Sequence, residues 1–143
     1  MSNWSEGALA LIIVVGLGIA LFLFSGQSLG SDATDVTQAP ITVDPEAAAR
    51  GATLATEQGC LNCHTVDGTS LSGPTWKGLA GSVRPLVGGD EVIADETYLF
   101  NSVVDPSNQI VDGYDDLMPD FYADQLNTDQ ISDLVEYIKS LAT

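Results

Sequence analysis

The sequence predicts a small all-α domain that follows a single transmembrane helix. Three features of its 143 residues support this prediction. An uncharged apolar run fills residues 7–24, three later segments carry helix signals, and only residues 82–93 are typical of β structure. We expect a membrane anchor at residues 1–25, a polar linker at 26–45 and a globular domain at 46–143.

The apolar run Gly7–Phe24 is the predicted anchor. Its 18 residues would span about 27 Å as a helix, close to the ~30 Å hydrocarbon core of a bilayer. A cleaved signal peptide would have a basic leader and a shorter apolar stretch, whereas the leader ending at Glu6 has no Lys or Arg. Gly16 and Gly18 leave one face of the predicted helix without bulky side chains, which suits close packing against another membrane helix. Glycine is also common in membrane helices in general. We therefore expect an uncleaved single-pass anchor.

The linker and the first helix of the domain follow. Residues 26–45 are rich in Ser, Thr, Asp, Gly and Pro without apolar periodicity, which indicates a flexible connection. A helix is predicted over residues 46–57, because Pro45 suits a first-turn position and Gly59 suits the residue beyond a helix end.

The last helix has the clearest signals. Asn127 and Gln130 form a capping box, and Leu126 precedes the cap as one half of a hydrophobic staple. The apolar stripe at helical spacing consists of Ile131, Leu134, Val135, Ile138 and Leu141.

The middle of the domain contains one more helix and a hairpin. The helix is predicted over residues 96–104, capped by Asp95 and ended before Pro106. Residues 82–93 are predicted to form a short β-hairpin that turns at the adjacent glycines 88–89.

Cys60, Cys63 and His64 carry the chemistry of this sequence. Two thiols separated by two residues and followed by an imidazole form the attachment signature of c-type haem, in which the thiols bond two vinyl groups on one porphyrin edge. No other cysteine or histidine occurs in the chain. A thioredoxin-type pair has no use for the histidine, zinc would lack a fourth ligand, and a disulfide across so short a loop would stabilise little. We predict one covalent haem c with His64 as an iron ligand.

Met118 is the candidate for the sixth iron ligand. The other methionine, Met1, belongs to the leader, and no second histidine exists. Thioether sulfur favours ferrous iron and raises the reduction potential; the alternative is a methionine that fills a gap in the core. With both axial positions filled, the iron has no open site, so we expect an electron-transfer protein and not an enzyme. A haem-based sensor or enzyme with a labile methionine is the alternative.

Together these residues resemble the small single-haem class I cytochromes c over residues 45–143. The sequence is most similar to the cytochrome c domain fused to subunit II of some haem–copper oxidases, and the similar stretches are residues 73–79, 94–99 and 113–119. No copper-binding cupredoxin domain precedes the haem domain here, so we expect a similar haem module and not that subunit itself.

The resemblance implies further site residues. It implies that the first and last helices cross at Gly51, that the Pro74 carbonyl accepts a hydrogen bond from the His64 ring, and that Trp76 packs near the haem edge. The weaker alternatives, taken from the residues alone, are a plain turn at residues 73–74 and a plain core residue at Trp76. The first helix lacks the family's usual aromatic residue at the crossing, a place that Tyr137 is expected to fill.

The charge of the chain limits its possible partners. With 20 acidic and 4 basic residues, the net charge of −16 excludes nucleic acid. The acidic residues that bracket Met118 form either a solvated face or a docking face for a redox partner with a basic patch; they are Asp112, Asp115, Asp116 and Asp120.

The location follows from the predicted haem, because c-type haem is attached outside the cytoplasm. We expect a cell-membrane protein with a cytoplasmic N-terminus and the haem domain on the periplasmic or outer face. Its expected neighbours are membrane lipid and other membrane subunits of a respiratory or photosynthetic electron-transport complex. A fixed subunit is favoured, and a free-standing tethered shuttle is the alternative.

Overall fold

A computed structural model describes residues 40–142 of the chain. In chain order the elements are helix α1 (Pro45–Glu57), a 3₁₀ turn (Cys60–Asn62), strands β1 (Val83–Pro85) and β2 (Glu91–Ile93), helix α2 (Glu96–Val104), a second 3₁₀ turn (Pro106–Asn108), helix α3 (Tyr122–Gln125) and helix α4 (Thr128–Ser140). The predicted mainly helical domain with one short hairpin is confirmed. The predicted anchor and most of the predicted linker lie outside the described residues. Within the part of the chain that is described, no helix has the length and apolarity needed to cross a membrane.

Helix α1 begins and ends at residues with clear capping roles. The Asp44 carboxylate accepts hydrogen bonds from the backbone N–H groups of Glu46 and Ala47, which have no partner inside the helix. Pro45 occupies the first turn. Gly59 follows the helix with a φ of 73°, a left-handed conformation that suits glycine and turns the chain into the first 3₁₀ segment.

Helices α1 and α4 pack against each other at Gly51. A Cβ atom built on Gly51 would lie 1.9 Å from the Asp133 carbonyl oxygen and 2.9 Å from Tyr137 Cβ. The backbones therefore approach so closely that only glycine fits. Beside this contact, the Arg50 guanidinium donates two hydrogen bonds to the Asp133 carboxylate, at 2.8 and 2.6 Å.

The caps predicted for the other helices are also present. Asn127 and Gln130 form a complete capping box, each side chain accepting a hydrogen bond from the backbone N–H of the other residue. Asp95 accepts a hydrogen bond from Tyr98 N–H at the start of α2, whose bounds are those predicted.

The hairpin pairs β1 with β2 antiparallel, with Val83 opposite Ile93. Gly88 and Gly89 in the turn both have positive φ, which explains why two glycines stand there. Beyond β1, a bridge between Leu86 and Val111 joins the hairpin to the chain segment that precedes Met118.

The core lies between the helices. Buried residues from α1, α2, α4 and the connecting segments form one apolar cluster. The larger side chains of this cluster outside α4 are those of Leu54, Trp76, Leu79, Tyr98, Leu99, Val103, Tyr122 and Leu126. Many of these side chains also face an internal pocket.

Candidate functional site

A pocket of about 360 Å³ collects the residues that the sequence singled out. The volume lies within the ~300–1,000 Å³ range usual for small-molecule and cofactor sites. All six predicted site residues line it: Cys60, Cys63, His64, Pro74, Trp76 and Met118. Much of the remaining wall is apolar and buried, with Leu79, Leu99, Val103, Val111, Leu134 and Ile138.

The 3₁₀ turn places the two thiols and the imidazole at one side of this pocket. Cys63 N–H and His64 N–H both donate to the Cys60 carbonyl, at 3.2 and 3.0 Å, so the motif closes on itself in a single turn. The two cysteines are not joined by a disulfide. Cys63 is exposed and Cys60 is half-buried, and this burial raises the pKa of the Cys60 thiol.

His64 is held in one orientation and one tautomer. Its Nδ1 lies 2.8 Å from the Pro74 carbonyl oxygen. A carbonyl oxygen only accepts hydrogen bonds, so Nδ1 carries the proton and Nε2 keeps a free lone pair. Burial lowers the pKa of the imidazole, with the hydrogen bond to Pro74 opposing, so the ring is neutral at pH 7. This is the form in which histidine binds a metal.

The ring of His64 also packs closely against Trp76 and Gly73. Trp76 stacks at a centroid distance of 5.2 Å and an interplanar angle of 25°, and Tyr137 meets Trp76 edge-on. Gly73 lies so near the ring that an added Cβ would be 2.6 Å from His64 Cε1. Glycine at this position makes room for the imidazole, and the Gly-Pro pair is therefore more than a turn.

Met118 enters the pocket from the loop between the second 3₁₀ turn and α3. Its side chain is half-buried and packs against the apolar core cluster. Its neighbour Leu117 is 64 % exposed. Both residues line the pocket that contains His64, but Met118 is the more buried of the two and is the one that packs on the core cluster.

Sequence analysis missed several tyrosines of the pocket. Tyr98, Tyr114 and Tyr122 line it, and Tyr122 Oη–H donates to the Gln58 carbonyl at 3.3 Å, tying α3 to the end of α1. Burial raises the pKa of Tyr122. No local pattern identifies these positions, because the pocket is assembled from segments far apart in the chain.

Arg84 in β1 lies outside the set of residues that line the pocket. Among the described residues, its Nε is the one buried side-chain nitrogen or oxygen without a hydrogen-bond partner. Successive residues of a strand lie on opposite faces, so Arg84 and Val83 are on different faces of the hairpin. Arg84 shares its face with its pairing residue Val92, and Val92 packs on the core. The donors inside the pocket are two thiols, a neutral imidazole and a thioether among apolar walls, and this set fits haem, an apolar ring that carries an iron.

Comparisons with known proteins agree with this fit. The family model described as Cytochrome c matches residues 48–142, well over half of the chain. No curated protein sequence matches the chain. Proteins of the matched family bind haem c covalently through a cysteine pair, and the pair at Cys60 and Cys63 has the required spacing.

Proposed function

The chain belongs to the cytochrome c family, whose function is haem-based electron transfer, and on that premise we propose a membrane-anchored one-electron carrier with His64 and Met118 as the axial iron ligands. One observation carries the proposal: His64 and Met118, 54 residues apart in the sequence, line the same pocket as the two cysteines. In this assignment both axial positions belong to protein side chains, which leaves no site for a substrate.

The protein's own residues prepare the site for electron transfer. When bound, haem c supplies one electron reversibly through its iron. The hydrogen bond to Pro74 and the stack on Trp76 fix the orientation of the His64 ring, which is how the partners of a metal-binding histidine act. Much of the pocket wall is apolar, and a neutral sulfur ligand in such surroundings would favour the less charged, reduced state.

The ligand assignment is tested by Met118→Ala in the protein with haem attached. We expect the sulfur-to-iron charge-transfer band at the red end of the oxidised spectrum to disappear and the reduction potential to fall. Leu117→Ala is the matched control, because its side chain is 64 % exposed. A Met118→Ala protein that keeps the band would refute the assignment.

We place the docking face for the redox partner on the loop that carries Met118. Leu117 and Phe121 are 64 % and 43 % exposed, and Asp115 and Asp120 beside them are exposed as well. An apolar centre with an acidic rim complements a partner with a basic rim, which increases the rate of encounter.

Salt dependence tests this face. Electron transfer between the purified haem domain and a basic redox protein is expected to slow as salt rises, and Asp115→Asn with Asp120→Asn is expected to flatten that dependence. The control removes the same charge elsewhere, with Asp90→Asn and Glu91→Gln in the hairpin, both exposed. Equal effects from the two pairs, or no salt dependence at all, would contradict the docking face.

We propose that Gly7–Phe24 anchors the protein in the cell membrane with the haem domain on the periplasmic or outer face, as a fixed subunit of an electron-transport complex. The support is the uncharged apolar run and the slim face at Gly16 and Gly18. Purification in mild detergent followed by mass analysis tests it. Co-purifying membrane subunits are expected, and a protein that elutes alone from the membrane fraction would instead be a tethered shuttle.

A further inference from the structure

The loop that carries Met118 is tied to the rest of the domain mainly by side chains. We call residues 112–121 the Met118 loop. At its start, Asp112 N–H donates to the Pro85 carbonyl at 2.9 Å. From residue 113 to 120, the described backbone hydrogen bonds close only local turns, Tyr114 N–H to the Val111 carbonyl and Leu117 N–H to the Asp115 carbonyl. Backbone hydrogen bonds alone therefore do not hold this loop against the rest of the domain.

Two hydroxyl groups connect the loop to other segments. Ser107 Oγ–H donates to Asp116 Oδ1 at 2.9 Å, a bond to a residue nine positions away. Tyr114 Oη–H donates to Ser70 Oγ at 3.2 Å, across 44 positions. The second bond is the long-range one, and the Tyr114 ring itself lines the pocket.

Ser70 belongs to a well-fixed segment. Residues 65–74, which we call the His64 loop, close through Gly73 N–H to the Cys63 carbonyl at 2.9 Å, and Thr69 N–H bonds the Asp67 carboxylate at 2.9 Å. The same loop ends in Pro74, whose carbonyl accepts from His64. The Tyr114–Ser70 bond thus joins the segment that orients His64 to the segment that presents Met118.

We propose that the Tyr114–Ser70 hydrogen bond is a clasp that keeps Met118 on the iron, so that Tyr114 and Ser70 are positioning residues for the sixth ligand. This inference rests on the proposed ligation by Met118. For Met118 to leave, the Met118 loop moves away from the His64 loop, and this movement breaks the clasp. Loss of the clasp is therefore expected to raise the population of the open loop by roughly 2- to 10-fold, the range for one neutral hydrogen bond.

Capture by cyanide measures this population, because cyanide binds ferric haem only where the sixth position is free. The proteins to compare, all with haem attached, are wild type, Tyr114→Phe, Ser70→Ala and the double variant. Each single variant is expected to bind cyanide about 2- to 10-fold faster than wild type. The double variant is expected to match the singles, since all three lack the same bond. Ser132→Ala is the control, because it removes an exposed hydroxyl from α4, outside the Met118 loop and outside the pocket, and its rate should stay that of wild type.

The spectrum separates failure of the clasp from failure of the ligand assignment. If wild type shows the red-end charge-transfer band and both single variants bind cyanide at the wild-type rate, the clasp is overturned while the ligation stands. Independent, additive effects of Tyr114→Phe and Ser70→Ala also overturn it. If wild type lacks the band, the ligation fails, and the clasp fails with it.

Discussion

Replacing Gly51 with alanine would separate two effects that have opposite signs. Helix propensity alone predicts that Gly51→Ala stabilises α1 by about 1 kcal/mol, since glycine is the poorer residue in a helix interior. The structure predicts the reverse, because the added Cβ would lie 1.9 Å from the Asp133 carbonyl oxygen. Comfortable carbon contacts are ~3.5 Å or longer.

The size of the penalty follows from what obstructs the methyl group. Relief requires α1 and α4 to move apart by roughly 1.5 Å, from the overlap to a normal contact. The obstacle is backbone, which has no rotamer to change, so the cost is expected at the upper end of the over-packing range, about 3 kcal/mol. After subtraction of the propensity gain, Gly51→Ala is expected to lower the free energy of unfolding by about 2 kcal/mol.

Denaturant titration of the haem-loaded domain, followed by far-ultraviolet circular dichroism, measures this change. The melting temperature should fall by about 8 °C or more. Ala49→Gly is the matched control on the exposed side of α1, with an expected loss of about 1 kcal/mol from propensity alone. A Gly51→Ala protein as stable as wild type, or more stable, would refute the close approach of the two helices.

Two further predictions concern the site and the surface. Gly73→Ala would put a Cβ 2.6 Å from His64 Cε1, so the ring should turn away from the Pro74 carbonyl. We expect the free energy of unfolding to fall by about 1–3 kcal/mol and the paramagnetic NMR signals of His64 to be displaced. Unchanged signals would contradict the close packing of Gly73 on His64. The hydrogen bond from Arg50 holds the pKa of the Asp133 carboxyl below its ordinary value, and Asp133→Asn removes that carboxyl. A lowered carboxyl pKa stabilises the fold above about pH 4 and ceases to do so as pH falls further, so melting curves of wild type and variant should differ at pH 7 and converge as the pH falls through the lowered pKa of Asp133. A difference that persists at low pH would point to packing and not to charge.

The elements that sequence analysis placed correctly are those with local signals. Asp95 and Asn127 cap their helices through residues three positions on, and two adjacent glycines set the hairpin turn. The short helix Tyr122–Gln125 was not predicted, since four residues are too few for a periodicity. Nor was Asp44 recognised as the N-cap of α1, although its carboxylate precedes Pro45 in the sequence.

The site was predictable in part for a similar reason. Cys60, Cys63 and His64 are contiguous, and Met118 was singled out because few soft ligands exist in the chain. The contacts that shape the pocket join distant residues: Tyr122 with Gln58, and Tyr114 with Ser70. A single sequence contains no pattern that pairs such positions, because their proximity is a product of the whole fold.

The closeness of α1 and α4 has a mechanical consequence. Asp44, the cap of α1, donates its backbone N–H to the Glu136 carboxylate of α4 at 2.8 Å, and Arg50 of α1 bonds Asp133 one turn earlier in α4. A force that pulls α1 away from α4 therefore loads these two contacts first. The same force reaches the pocket, because Leu134 and Ile138 of α4 form part of its wall.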